Sequence, residues 1–354
     1  MALPDHNTPH DSTFKQVFSR PENALALLRA KLPAAVVDAI VEGSLEHEPS
    51  PAPDEELLER FTDVLMRGRL KDGREIKVYF LLEHQHEPDP WLSVRVLGYL
   101  VRIWEDWRRE NPTARRLPLV IPLVLNQGPA PWNAARSMDE LYDATPELLR
   151  ELGPIVPRLD LPILDLGGAP PARAAEIPGP PVARLTLVLL RGMADPAEDP
   201  GDLLEENAGL VVLVMEAPGG KGDFRRLILY VAYVRKKIDV EALSQRVKAF
   251  AGPEAGKVVM STAQELIEKG KAEGKAEGNV EGAAKTLLRQ LDILFGPLSA
   301  QTKERVQTAS AEELAAWAVT VLGAERLEDV FAPGTKPSAR RTSRRSKGGP
   351  KKKR

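Results

Sequence analysis

The chain has 354 residues, 43% hydrophobic and 28% charged, with a net charge of −2 and no cysteine. Disulfides, thiolate nucleophiles and cysteine-held zinc are thereby excluded, and a reducing, cytoplasmic setting is expected. The longest apolar runs, such as Leu117 to Leu125, are broken by proline and too short to cross a bilayer, and Met1-Ala2-Leu3-Pro4 has the features of no signal peptide, so no membrane role is expected.

Taken in chain order, Thr8-Pro9-His10-Asp11-Ser12 offers capping residues before an amphipathic helix whose apolar positions include Phe14, Val17, Phe18, Ala24, Leu25, Leu27 and Leu28. Two strands are predicted next, Leu58 to Arg67 and Glu75 to Gln85. In the second, Ile76, Val78, Phe80 and Leu82 share one face, and Lys77, Tyr79, Leu81, Glu83 and Gln85 share the other. Helical spacing of Leu92, Val96, Tyr99, Leu100 and Ile103 predicts a helix from Leu92 to about Arg109. Leu117 to Leu125 then reads as a buried parallel strand reached through a helical crossover. Helix, strand, strand, helix, strand is the order of an α/β core with two or three layers.

Asp63 and Glu83 are the candidate chemistry in this core. Two carboxylates on neighbouring strands suit a divalent cation held against a phosphodiester, because hard cations take oxygen ligands. Their meeting depends on register. A three-residue loop, Lys71 to Gly73, ending in a left-handed glycine places the two acids diagonally on one face; a two-residue Asp-Gly loop places them on opposite faces. His84 and His86 alternate away from Glu83 and are not expected to be ligands.

After Gly128 a proline-rich passage leads to a short strand around Leu159 to Leu166. Helices are then predicted over Pro181 to Arg191, Asp202 to Glu216 and Asp223 to Lys237. From Glu268 to Gly282 glycine returns every fourth residue, at a helix cost of ~1 kcal/mol each relative to alanine. This stretch reads equally as a helix-pairing face or as a solvated charged linker. Leu287, Leu291, Phe295, Leu314, Trp317 and Val321 predict a small helical hairpin beyond it. Residues 336–354 hold ten Lys or Arg and no acid, so the rest of the chain carries −12 against the net −2. That tail is expected to be disordered and drawn to phosphate backbones. The expected domains are a core over 8–130, a mainly helical extension over 131–252, a linker over 253–282, a helical domain over 283–331 and the basic tail over 332–354.

His10-Asp11 with Phe14-Lys15, Asp63-Val64-Leu65, Leu82-Glu83-His84-Gln85, Arg95 with Tyr99, and Leu117-Pro118-Leu119-Val120-Ile121-Pro122 together resemble the Rpn family of recombination-promoting nucleases, also named putative transposases. The C-terminal residues resemble the helical domain often appended to these proteins. The resemblance implies a PD-(D/E)XK nuclease core and a Mg²⁺-dependent DNA endonuclease, with Mn²⁺ as a substitute cation. It implies Asp63 and Glu83 as metal ligands and Gln85 in the position held by lysine in the wider superfamily. Arg95 and Tyr99 would reach the phosphate or frame the site. Asp11 and Lys15 would be auxiliary, although capping and packing explain them, and His10, as well as chemistry does. DNA is the expected partner, with self-association through the helical C-terminal region. The alternative is a nuclease-derived DNA-binding or assembly protein with weak or no catalysis, since the neutral Gln85 lacks the charge of a lysine.

Overall fold

A five-stranded sheet organises the first of two units into which the chain divides after Gln264. The computed structural model describes residues 8–48, 63–83 and 89–331. Its strands are β1 (Glu46–Glu48), β2 (Asp63–Arg69), β3 (Glu75–Glu83), β4 (Leu119–Asn126) and β5 (Ile163–Asp165), neighbours in that order. The first three run antiparallel, while β3, β4 and β5 are parallel. Helix α4 (Leu92–Glu110) is the crossover between β3 and β4.

Strand alternation builds one hydrophobic layer on each side of the sheet. Val64, Met66, Ile76, Val78, Phe80, Leu82, Leu123 and Leu125 face a large core shared with α1 (Pro9–Phe18), α2 (Pro21–Lys31), α7 (Pro181–Met193), α9 (Ala208–Glu216) and α10 (Gly220–Val234). Leu65, Tyr79, Leu81, Val120 and Val124 face Leu92, Val96, Leu100 and Ile103 of α4. The sheet is thus the middle layer of an α/β sandwich. Around it lie the shorter helices α3 (Ala34–Asp38), α5 (Pro146–Leu152), α6 (Ala172–Ala175), α8 (Pro200–Glu206) and α11 (Val240–Ala251).

Two helices expected as single units are broken. The helix after Thr8 ends at Phe18 and α2 restarts at Pro21, whose ring suits a first turn, while the Asn23 side chain donates to Val17 O at 2.8 Å across the joint. Asp202 to Glu216 divides between α8 and α9 at Asn207, whose side chain donates to Leu203 O. The strand predicted from Leu58 is seen from Asp63; residues 58–62 lie outside the described set. Leu117 to Leu125 supplies the expected parallel strand, and the short strand near Leu164 is β5.

Helix α12 (Pro253–Phe295) runs without a break through the glycine repeat. A Cβ built on Gly270, Gly274, Gly278 or Gly282 meets nothing within 4 Å. The second unit has its own core, in which Leu287 and Leu291 of α12 pack with Val306 of α13 (Ala300–Gln307) and Leu314 and Trp317 of α14 (Ala311–Thr320). With α15 (Leu327–Val330) it is more than the expected hairpin. The Arg305 guanidinium lies over both Trp317 and Phe331, 5.5 and 4.8 Å from their ring centres. The basic tail lies outside the described residues.

Candidate active site

The β2–β3 turn decides the site. Leu70 N donates to Arg74 O and Gly73 N to Leu70 O, both at 2.8 Å, leaving Lys71-Asp72-Gly73 as a three-residue loop. Gly73 takes φ +86°, a left-handed conformation that costs an L-residue with a side chain roughly 1–2 kcal/mol. Asp72 fixes the turn by accepting from Arg74 N at 3.1 Å and Arg74 Nε at 2.8 Å; these Arg74 bonds hold its carboxyl below the usual range. The register that follows pairs Asp63 with Leu81, so Glu83, two residues on, is diagonal to Asp63 on the same face. The arrangement is the three-residue one of the two that the sequence left open.

Both positions lie on the α4 side of the sheet, above the apolar bed of Leu65, Tyr79, Leu81 and Val124. Helix α4 places Tyr99 against Tyr79, with ring centres 5.6 Å apart, and Arg95 in an ion pair with Asp89. Arg95 and Tyr99 therefore belong to the same layer as positions 63 and 83. Asp11 and Lys15 come from α1, on the opposite side. Asp11 is buried at the third position of a capping box, exchanging hydrogen bonds with Thr8. Lys15 is close enough to β1 that, after partial desolvation, its ammonium helps hold the His47 imidazole below its ordinary pKa. His10 Nδ1 is 2.7 Å from the buried Tyr230 hydroxyl, a packing role. His84, Gln85 and His86 lie outside the described residues, as do the side chains of Asp63 and Glu83.

The sequence reading missed three polar residues of this layer. Parallel pairing aligns Glu83 with Asn126, and Asn126 with Asp165, in one row at the C-terminal ends of β3, β4 and β5. Such strand ends are where open α/β sheets bind ligands. Asn126 is buried and saturated: its Nδ2 donates to Asp165 Oδ1 at 2.8 Å, and its Oδ1 accepts from Gly128 N at 3.1 Å. Asp165 also accepts from Trp132 N and Gly167 N, which ties the loop after β4 to the row. A Cβ on Gly167 would fall 1.9 Å from Ala130 O, so only glycine permits this approach. The third is Glu48, on β1 opposite Leu65, whose Oε1 accepts from the buried Lys77 Nζ at 2.7 Å. Lys77, on the same face as Glu83, is engaged there.

Among the described residues, no cluster of three or more His, Asp or Glu forms a ready-made metal centre. None of the described helices is long and apolar enough to cross a membrane.

Comparison with known proteins adds family evidence. Residues 8–193 match the family model "Putative transposase, YhgA-like". The chain is 28% identical over 153 residues to recombination-promoting nuclease RpnA of Escherichia coli (strain K12), covering 43% of this chain and 51% of RpnA. It is 29% identical over 149 residues to the inactive recombination-promoting nuclease-like protein RpnE of the same strain, covering 41% and 48%. The chain thus spans about half the length of these curated relatives. No solved structure matches it.

Proposed function

We propose, on the premise that this chain belongs to the YhgA-like family of putative transposases, that it is a metal-dependent DNA endonuclease acting in recombination or in mobile elements. The reading rests on the β2–β3 register, which gives positions 63 and 83 a common face at one end of these two interior strands. The order α1, β2, β3, α4, β4 supports a PD-(D/E)XK core. Hard carboxylate oxygens at Asp63 and Glu83 fit Mg²⁺, with Mn²⁺ as substitute. Bound there, the cation would lower the pKa of an attacking water and offset charge on the phosphate.

The protein's own groups do the rest. Gln85 is assigned to orienting water or phosphate through its amide. Arg95 and Tyr99 frame the phosphate side from α4, with Arg95 held in place by Asp89. Asp11 and Lys15, carried by α1 on the opposite side of the sheet, keep their capping and charge roles and are given no contact with the phosphate. Purified full-length protein should nick supercoiled plasmid when Mg²⁺ is added and stop when EDTA removes it. Asp63→Ala and Glu83→Ala should each lower the rate by at least about 100-fold, the scale of losing a key electrostatic contact, without lowering the melting temperature. Wild-type rates in both variants would exclude these residues as ligands.

A second reading is a DNA-binding or assembly protein that has lost catalysis. It draws on the neutral Gln85 and on a relative named as inactive. Salt-sensitive retardation of DNA with no cleavage in Mg²⁺ or Mn²⁺ would select it.

A further inference from the structure

Beside the β5 edge of the sheet lies a cavity of about 290 Å³, walled by α2, β5, the segment around α6, and α7. Arg191 of α7 lines it and is only 9% exposed. Its Nε donates to Ala169 O at 2.8 Å, which anchors the loop before α6. Its two Nη groups have no hydrogen-bond partner and no ion pair among the described residues, and they are not fully enclosed. A guanidinium presents five N–H donors in a planar fork, so one bond leaves most of its capacity unused. A desolvated cation with no counter-ion is costly, and loop anchoring accounts for Nε alone.

The surrounding charges do not neutralise it. Asp165 borders the cavity, but its carboxylate accepts from Asn126, Trp132 N and Gly167 N and lies 3.8 Å from the Arg136 guanidinium. Glu198 senses Arg191 only at longer range; burial first, then Glu206 and Asp195, push its carboxyl above the ordinary range. Arg173, exposed on α6, also lines the cavity and makes no ion pair among the described residues. Apolar side chains, among them Ala30, Leu164 and Ile177, also line the cavity. Glu176 also lines it, where it would repel a second negative group.

We propose that this cavity binds a small organic anion, its phosphate or carboxylate group taken by Arg191 and Arg173 and its apolar body resting on Leu164 and Ile177. Arginine's fork matches both oxyanions, and the volume is at the small end of the range for ligand pockets. The assignment is independent of the nuclease reading.

Titration calorimetry on the full chain tests it with three probes: thymidine monophosphate, benzoate and inorganic phosphate. At least one organic anion should saturate with a Kd below about 1 mM, and inorganic phosphate should bind at least about tenfold more weakly. The stronger organic probe identifies the group as phosphate or carboxylate. Arg191→Gln should weaken that probe at least about tenfold, and Ile177→Trp, which fills the cavity without touching the charge, should do the same. Arg173→Gln, an exposed change, should weaken it about threefold. No saturable heat from either organic anion up to about 10 mM would overturn the site. So would wild-type affinity in Arg191→Gln and Ile177→Trp proteins with unchanged circular dichroism. Inorganic phosphate binding as tightly as both organic probes would overturn the apolar contact.

Discussion

A lysine buried on a sheet face needs an acid, and Lys77 of β3 has Glu48, which reaches across β2 from the edge strand β1. Removing one partner of such a pair leaves an uncompensated buried charge. Glu48→Ala should therefore destabilise the protein by roughly 3–5 kcal/mol, whereas Glu48→Ala with Lys77→Met should recover most of that loss. Urea unfolding of the two single variants and the double variant measures the coupling. His47, next to Glu48, gives a pH signature. Its native pKa lies below the unfolded 6.5, so the unfolded chain takes up the proton first on acidification. The stability it contributes is full above that value and is lost as pH falls through the lower native one. His47→Gln should shrink the fall in urea midpoint between pH 7.5 and pH 5, and an unchanged fall would assign it to other groups. Asp63 and Glu83 were legible as a candidate pair because alternation along β3 and the spacing to the Gly73 turn are local properties. Glu48, Asn126 and Asp165 were not. Their place depends on which strand lies beside which, and a three-residue strand such as β1 leaves too short a pattern to read.

The hairpin is the element on which the proposed chemistry turns. Deleting Lys71 would leave a two-residue Asp-Gly connection and shift β2 by one residue against β3, moving either Val64 and Met66 or Ile76, Val78 and Phe80 out of the core. The deletion should abolish cooperative thermal unfolding by circular dichroism, while Lys71→Ala, which keeps the loop length, should be close to neutral. A well-folded deletion variant with wild-type cleavage would mean that the register does not position the acids. Strands β3 and β4 were readable from alternation and from an unbroken apolar run. The breaks at Pro21 and Asn207 were not, because apolar spacing continues across each joint while the backbone turns. Helix α11 escaped notice for a related reason: only Leu243, Ser244 and Val247 of its twelve residues are buried, so its stripe is narrow.

At the scale of the molecule, charge is divided between an acidic body and a basic C-terminal end. If the chain binds DNA as proposed, removal of residues 336–354 should weaken binding at low salt and flatten the dependence of log K on log salt, since fewer counterions are released. Cleavage by the bound enzyme should survive, because the proposed ligands lie far earlier in the sequence. An unchanged salt slope would free the tail of any role in DNA contact. Among the described residues the sheet's two outer strands, β1 and β5, have three residues each, and Glu46 and Glu48 of β1 are held by Arg67 and Lys77. A ladder grows most readily where a long run of backbone amides and carbonyls stands unpaired at its margin, and among the described residues neither of these strands offers one. Concentrated preparations should accordingly stay free of fibrils that bind thioflavin, even on prolonged storage.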